Sequence, residues 1–282
     1  MKKNSILIAL LFLLGVSSNV SAQVELKEKE IPVDIALELK NAHIWRGLDV
    51  SHNLLIDANV KLTDKSKTVG VGIWAATTFT SDFREFDYYA GFYKGGFSFE
   101  VWDIFNFSDK NQFDPVTNTG YNTQKAFDYS AHGTGHFVDV RLAHRFSDKF
   151  PLCLKWNTVV FGRDRARIST PSLSEPGVYN QKYSSSRYST YVEAEYPILK
   201  GNIVDVKVGV GGAFALKEAK IDGQKIKGHF YGESAGIVNA SLTVTKRLQL
   251  GEHYNLPITA TAVWNPEASK TYMEIAMQVL QF

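Results

Sequence analysis

Histidine pairs are the first residues in this sequence whose types and spacing could do chemistry. His132 and His136 lie four residues apart, and His43 and His52 flank one polar segment. Imidazoles placed in this way could bind a metal ion. A spacing of four aligns ligands on a helix, whereas the glycines between His132 and His136 favour a loop, and no cysteine or carboxylate completes a set. The sequence therefore predicts no metal site and no cofactor.

Hydrolysis is the second chemistry that these residue types allow. Ser51 precedes His52, and Glu233 and Ser234 follow His229 at a short distance along the chain. A serine or an acid beside a histidine is the minimum for nucleophilic or acid–base catalysis. Neither set stands in a recognisable catalytic motif, so the sequence favours a protein that is not an enzyme and leaves a phospholipase-like or protease-like enzyme as an alternative.

The elements that would position these side chains follow an export signal. Two lysines come after Met1, residues 6–14 form an apolar run, and Val20-Ser21-Ala22 has the small residues of a cleavage site. We expect a signal peptide at residues 1–22 and a short periplasmic N-terminal segment at 23–32. Its removal leaves as many basic as acidic residues, so the charge predicts no nucleic-acid partner. Cys153 is the only cysteine of the chain, which excludes an internal disulfide and predicts an inert wall residue.

Apolar and polar residues alternate in most of the remaining chain, which is typical of strands with one buried face. Most of these segments are longer than the roughly 5 or 6 residues of soluble sheets and match the roughly 9 to 11 residues of tilted membrane strands. The predicted strands are residues 33–44, 54–62, 68–79, 85–93, 97–107, 136–146, 152–161, 187–196, 203–216, 236–248, 256–265 and 270–282.

The connections between these strands differ in length according to their position. Short turns follow the even-numbered strands, whereas the longest connections, residues 108–135, 162–186 and 217–235, follow odd-numbered ones. Outer-membrane barrels have short periplasmic turns and longer external loops. The sequence thus predicts an all-β fold, a transmembrane antiparallel up-and-down β-barrel of about twelve strands at residues 33–282, in the bacterial outer membrane.

The two faces of the strands predict what lies inside and outside. In residues 236–248, Val238, Ala240, Leu242 and Val244 share one face, which we assign to lipid. Charged residues share the other face in most strands, and their signs are mixed. The lumen-lining candidates are Glu38, Lys40, Asp57, Lys61, Asp87, Glu100, Asp139, Arg141, Lys155, Glu193, Glu195, Asp205, Lys207 and Glu274.

Aromatic residues near the ends of the strands predict girdles at the membrane surfaces. Trp45 and Trp264 are expected at the loop end, and Arg46-Gly47 is expected to turn the chain into the first external loop, where an unpaired charge costs little. The girdle at the turn end would contain Phe97, Phe146, Tyr196 and Phe282.

Three stretches in this order carry a family resemblance. The run "HIWRGLDVSHN", then "GVGIWAATTF", then "EFDYYAGFYKGGFSFEV" resembles the N-terminal half of the TorF-type porin family, over about residues 33–107. The resemblance implies a porin-like barrel of the Gram-negative outer membrane and does not indicate a substrate.

The C-terminal end departs from the usual barrel pattern of apolar residues at every second position before a terminal aromatic. Phe282 and Leu280 fit, but Gln278 and Glu274 do not, while Met277 and other apolar residues lie on the opposite parity. Either a bulge shifts the register near the end, or the assembly signal is atypical.

The connection at residues 108–135 is long enough to have a function of its own. Its aromatic residues, Phe113, Tyr121, Phe127 and Tyr129, give it apolar surface for docking. Two arrangements remain open: a surface flap, or a loop that dips into the bore and narrows it.

The function predicted from the sequence is the passive passage of small polar solutes through an outer-membrane porin-like barrel. The expected partners are outer-membrane lipid, the barrel-assembly machinery during biogenesis and the solutes themselves. The alternatives are the barrel-embedded enzyme and a non-conducting structural barrel, since about twelve strands lie between barrels filled by side chains and open channels.

Overall fold

Twelve long strands form the wall of a closed β-barrel. The structure is a computed structural model that describes residues 32–108, 125–130, 134–172, 179–251 and 254–281. The wall strands are β1 (Val33–Lys40), β4 (Leu55–Thr63), β5 (Val69–Thr78), β6 (Arg84–Lys94), β7 (Phe97–Asn106), β8 (His136–Arg145), β9 (Cys153–Gly162), β12 (Ser189–Lys200), β13 (Val204–Ala215), β16 (Gly236–Leu250), β17 (Tyr254–Asn265) and β18 (Lys270–Gln281). Three short hairpins lie in the connections, formed by β2 (His43–Trp45) with β3 (Leu48–Ser51), β10 (Arg165–Pro171) with β11 (Tyr179–Ser186), and β14 (Ala219–Ile221) with β15 (Gln224–Ile226).

Each wall strand pairs antiparallel with its neighbours along the chain, and β1 closes the circle by pairing with β18. The connections at one end contain two to seven residues, while three of those at the other end contain 20 or more. We call these the turn end and the loop end. The predicted twelve-stranded antiparallel barrel is therefore confirmed, as is the sorting of its connections by length.

The strand boundaries differ from the prediction by more than two residues at two places. The first strand ends at Lys40 instead of residue 44, because residues 43–45 belong to a separate hairpin. The eighth wall strand begins at Ser189 and continues to Lys200, through residues expected to form a turn. Both differences lie at strand ends, where alternation gives the weakest signal.

The outward face of the wall is apolar and exposed, as the alternation predicts. In β6, exposed Phe86, Tyr88 and Phe92 alternate with buried Asp87 and Tyr89. The same alternation exposes large apolar residues on neighbouring and distant strands, among them Val69, Val71, Ile73, Phe99, Val101, Leu142, Leu154, Trp156, Val210, Leu242 and Ile275.

The described wall strands show four register shifts, and two of them bear on the predicted faces. Near the C-terminus the register shifts where Leu37 pairs with Leu280 and Glu38 with Gln278, so Val279 is the extra residue. This bulge accounts for the parity change at the end of the sequence and confirms the first of the two alternatives. A second register shift, between Gly211 and Gly212, places Val238 as the extra residue in β16.

The second bulge makes one face assignment wrong. Val238 is fully buried and packs with Tyr191, Ala213 and Tyr231 instead of facing lipid. A bulge inserts one residue, so the parity differs between its two sides. Ala240, Leu242 and Val244 keep the predicted outward face, whereas Val238 does not.

Several predictions concern residues outside the described ranges. These are the signal peptide at 1–22, all but the last residue of the segment 23–32, and Phe282. Among the described residues, no helix has the length and apolar character needed to span a membrane.

Candidate functional site

The segment "HIWRGLDVS" folds as a tight hairpin, which we call the inner hairpin (His43–Ser51). Arg46 and Gly47 connect β2 to β3 and both have positive φ, of 52° and 81°. Two consecutive central residues with positive φ make a type I′ turn, whose twist matches that of the flanking strands. Glycine adopts this conformation without strain, and the sequence supplies it at the second position.

The inner hairpin crosses the bore of the barrel. The main-chain N–H of Ile44 donates to Glu274 Oε2 at 3.0 Å, and Glu274 lies on β18. The Arg46 side chain reaches Asp139 on β8. β18 and β8 are six positions apart in the circle of twelve strands, so they are diametrically opposite. The hairpin therefore bridges opposite walls.

Arg46 is the main polar anchor of the hairpin. Its Nη2 lies 2.6 Å from Asp139 Oδ2, and its Nη1 donates to the Tyr231 hydroxyl at 2.6 Å. The guanidinium also lies 4.5 Å from the centroid of the Trp45 ring, within range of a cation–π interaction. Movement of the hairpin would separate the buried guanidinium from its carboxylate, hydroxyl and aromatic partners at once. Arg46 thus fixes the hairpin tip at one place on the wall.

The predicted roles of Trp45 and Arg46 are therefore wrong. Arg46 is paired and its side chain is only 9% exposed, whereas the sequence suggested an unpaired charge in an external loop. Trp45 packs against Phe137 and Phe230 with ring centroids 5.9 Å apart in both cases, so it is not a girdle residue. The tip of the hairpin occupies the bore because its aromatic and charged side chains find partners there.

Gly47 fits a place where the hairpin touches the wall directly. A Cβ at this position would lie 1.9 Å from the main-chain oxygen of Val238. The carbonyl of Gly47 accepts a 3.0 Å hydrogen bond from Asn265 Nδ2, and Asn265 is buried. The close approach explains why the turn needs glycine for its size as well as for its φ angle.

A segment of the connection 216–235 also turns inward and completes the aromatic cluster. Tyr231 is 2% exposed, and its ring lies 5.5 Å from Trp45 and 5.8 Å from Tyr191. The preceding N–H, of Phe230, donates to Ser189 Oγ at 2.9 Å. Two connections, distant in sequence, therefore hold each other in the loop half of the barrel.

All fourteen lumen-lining candidates lie on the inward parity of their strands. Lys40 bridges Glu38 and Asp57 at 2.8 and 2.9 Å. Lys155 bridges Glu193 and Glu195 at 2.9 and 2.7 Å. The other contacts among the fourteen and their neighbours are Lys207 with Glu195, Arg141 with Asp139, Asp205 with Arg247, Lys61 over the Tyr93 ring, Glu100 with Tyr93 and Trp102, Glu274 with Ile44, and Asp87 with Phe105.

These pairs bring charges of opposite sign together around the wall. They do not gather into one patch of a single sign, because each cation has a carboxylate partner or an aromatic ring. Arg46, Glu85 and Arg247 are among the charged residues of this inner surface that the sequence missed. Glu85 was detectable, since it lies two positions before Asp87 and so shares its face.

A cavity of about 860 Å³ lies at the loop end, between the wall and the inner hairpin. The hairpin contributes His43, Trp45, Leu48, Asp49 and Val50 to its lining, and the wall contributes residues from seven of the described strands. Its lining combines aromatic rings with both carboxylates and cations. The other lining residues include Lys40, Trp74, Glu85, Asp87, Trp102, Ile104, Asn106, Phe137, Arg141, Arg163, Tyr231, Glu233, Glu267, Lys270 and Tyr272.

Neither serine–histidine set brings a hydroxyl onto an imidazole. His52 Nδ1 lies 3.7 Å from the Asp49 carboxylate. His229 Nε2 contacts the main-chain oxygen of Ser234 at 2.9 Å, while its Nδ1 accepts the N–H of Tyr231. These contacts give both histidines structural roles.

The histidines considered for a metal site are equally dispersed. His132 lies outside the described residues, His43 is inside the barrel, and His52 is exposed. Within the described ranges no group of three or more histidine, cysteine, aspartate or glutamate side chains could hold a metal ion.

The described part of the connection 107–135 lies on the outer surface. The Tyr129 hydroxyl donates to Asp103 Oδ2 at 2.7 Å and also contacts the Tyr88 hydroxyl. Asp103 points to the outer face of β7, and its Oδ1 lies 2.8 Å from His136 Nδ1. The predicted dip into the bore concerns mainly residues 109–124 and 131–133, which are outside the described ranges.

His43 makes the docking of the inner hairpin sensitive to pH. Its ring stacks on Trp74 at 5.4 Å, and burial, together with the charge of Lys40, lowers the pKa of His43 to about 3. A displaced hairpin would bind a proton near pH 6.5, so docking is fully stabilised above that pH and weakens as pH falls towards 3. At pH 5 we expect displacement to be favoured about thirtyfold relative to pH 8.

Amide exchange measures this effect as protection factors for residues 43–51. We expect lower protection at pH 5 than at pH 8 in the wild type and no such change in His43→Phe, which keeps an aromatic ring but has no titratable group. Equal pH dependence in both proteins would contradict the role of His43.

No protein-family model and no curated protein matches this sequence. Among solved structures, the COG4313 outer membrane channel from Pseudomonas putida F1 is similar with a TM-score of 0.42 and 11% identity, covering 87% of this chain and 93% of that one. A Pseudomonas aeruginosa FadL homologue has a TM-score of 0.34 and 9% identity, over 87% and 86% of the two chains. CdiB from Acinetobacter baumannii has 0.32 and 9%, over 89% of this chain and 48% of that one. Structural similarities with TM-scores this low assign no function to this chain, and the TorF-type resemblance stays a prediction.

Proposed function

We infer that this protein is an outer-membrane barrel for the passive passage of small polar solutes, with a bore that the inner hairpin narrows. The observation that carries the proposal is the opposite character of the two faces of one closed wall. Its outward face exposes apolar side chains on every side, while its inward face carries the fourteen predicted charged residues, Glu85 and a cavity.

The outward face supports a membrane location. Monomeric soluble proteins rarely expose apolar patches above a few hundred Å², and here exposed apolar residues follow wall strands from β4 to β18. A closed barrel also satisfies its backbone hydrogen bonds within the wall, as a lipid environment requires. Exposed Trp264 lies near the loop end, and exposed Phe97, Phe146 and Tyr196 lie near the turn end, where aromatic girdles belong.

The inward face supports a polar path. Where a bore contains water, the charged side chains that pair along its inner wall stay hydrated. Their desolvation therefore costs less free energy than in a dry core. Because the pairs contain both signs, they favour polar solutes in general without naming a single ion. The inner hairpin and Tyr231 fill part of the loop half, so we expect a narrow passage.

Liposome swelling and planar-bilayer recordings test this proposal. Proteoliposomes should swell in small polar solutes and respond less as solute size increases, and bilayers should show small conductance steps. If neither the wild type nor a variant that lacks the inner hairpin caused swelling or conductance, the result would contradict the proposal and favour a structural barrel.

A further inference from the structure

Two neighbouring inward carboxylates on β6 each have one oxygen that the protein leaves open. Glu85 Oε2 accepts a 2.8 Å hydrogen bond from Asn106 Nδ2, and Asp87 Oδ1 accepts the main-chain N–H of Phe105 at 3.2 Å. Both acids line the cavity at the loop end. In the part of the chain that the structure describes, neither acid forms a salt bridge, and their second oxygens accept no hydrogen bond.

The two acids lie next to each other on the wall of the cavity. Asp87 is only 3% exposed, so its open oxygen faces the cavity instead of bulk water. Glu85 and Asp87 are two residues apart on one strand and point to the same face. Like charges on neighbouring positions repel each other, and a cation between them would remove the repulsion.

Apolar side chains lie beside the two acids on the neighbouring strands. In the sheet register Asp87 pairs with Trp74 on one side and Ile104 on the other. Glu85 pairs with Ala76, whose small side chain leaves space beside it. Trp74, Ile104 and Trp102 also line the cavity. An occupant here would meet two carboxylates at one end and apolar surface along its body.

Arg141 and Arg163 line the same cavity and their charges act on Glu85, although no salt bridge joins either arginine to the two acids among the described residues. Arg141 Nε donates to Asp139 Oδ2 at 2.7 Å, and its guanidinium stacks 3.9 Å from the centroid of the Trp102 ring. A ligand with a carboxylate would meet the negative charges of Glu85 and Asp87, so the preference for a cation over an anion can be measured.

We propose that the wall formed by Glu85, Asp87 and Trp74 is a binding site for small organic cations, that is, molecules with an amine or guanidinium group on a short apolar body. The ammonium group donates hydrogen bonds to the two open carboxylate oxygens, and the body packs on Trp74 and Ile104. This inference rests on the proposed function and extends it, because a binding site in the polar path would select among solutes.

Equilibrium binding to the full-length protein in detergent micelles tests the site with three matched probes. These are phenethylamine, its neutral analogue phenethyl alcohol and the anion 3-phenylpropionate. Isothermal calorimetry and tryptophan fluorescence should both detect the amine, with about tenfold or greater preference over the alcohol, since hydrogen bonds to charged groups contribute the difference. Equal binding of amine and alcohol, or preferred binding of the anion, would overturn the proposal.

Isosteric variants assign the binding to the two acids. Glu85→Gln/Asp87→Asn keeps acceptors for Asn106 and for the N–H of Phe105, so the barrel should assemble, and amine affinity should fall about tenfold or more. The matched control is Glu218→Gln/Asp222→Asn, which removes two carboxylates from the same end of the barrel outside the cavity lining. Unchanged amine affinity in the first variant, or an equal loss in the control, would also overturn the proposal.

The outcome is separable from the proposed function. Binding is measured without a membrane, whereas passage is measured by swelling and conductance. Solute passage without amine binding would overturn the site alone, and amine binding without passage would overturn the transport proposal while the site stands.

Discussion

Replacing residues 43–51 with a short Gly-Ser linker should raise the single-channel conductance severalfold while the barrel still assembles. The inner hairpin links Glu274 on one wall to Asp139 on the opposite wall, so it occupies the centre of the bore. The twelve wall strands pair with one another without contributions from the hairpin strands, which form their own two-stranded sheet. Planar-bilayer recordings at several voltages measure the change.

A matched deletion separates removal of the constriction from general damage to the loop end. The hairpin Ala219–Ile226 packs against β10 and β11 through Ala166 and Ile168, away from the aromatic cluster of the bore. Replacing it with the same linker should leave conductance near the wild-type value. If the two deletions changed conductance equally, or if neither did, the inner hairpin would not be the constriction.

Arg46→Ala provides a milder version of the same change. It removes the contacts to Asp139 and Tyr231 but leaves Asp139 paired with Arg141, so the buried carboxylate keeps a cationic partner. We expect conductance fluctuations between the wild-type level and the level of the deletion, because the hairpin tip loses its anchor without losing its aromatic contacts.

The wall of the barrel could be predicted from local patterns because each of its features repeats every two residues. Alternation identifies strands and faces, and the connection lengths give the orientation of the strands. The prediction failed at Val238, where one extra residue changes the parity. Glycines at 209, 211 and 212 mark that part of the wall in the sequence, but they do not specify which strand bulges.

The inner hairpin could not be predicted in the same way, since its position depends on contacts between residues distant in sequence. Arg46 and Asp139 are 93 residues apart, and Arg46 and Tyr231 are 185 apart. A Trp-Arg-Gly run at the end of a strand is equally compatible with a membrane girdle and with a tight turn inside a bore. The partner residues decide between them, and no periodicity reveals those partners.

Placing arginine at Ala260 should cost about 2 to 4 kcal/mol of unfolding free energy, whereas arginine at the adjacent Thr261 should be tolerated. Ala260 is exposed in the middle of β17, with outward Val244 and Ile275 as its cross-strand partners. An arginine there would have to leave water for the hydrocarbon region, where its charge has no partner.

Thr261 faces the opposite way and pairs with Glu274, whose carboxylate could accept an arginine in the polar interior. Both variants change one residue of the same strand to the same side chain, so each serves as the control for the other. Urea titrations in lipid vesicles measure the two free energies of unfolding. Equal destabilisation at both positions would mean that the outer face does not contact hydrocarbon, and the membrane location would then lose its physical basis, because the two neighbours lie on opposite faces of the same strand.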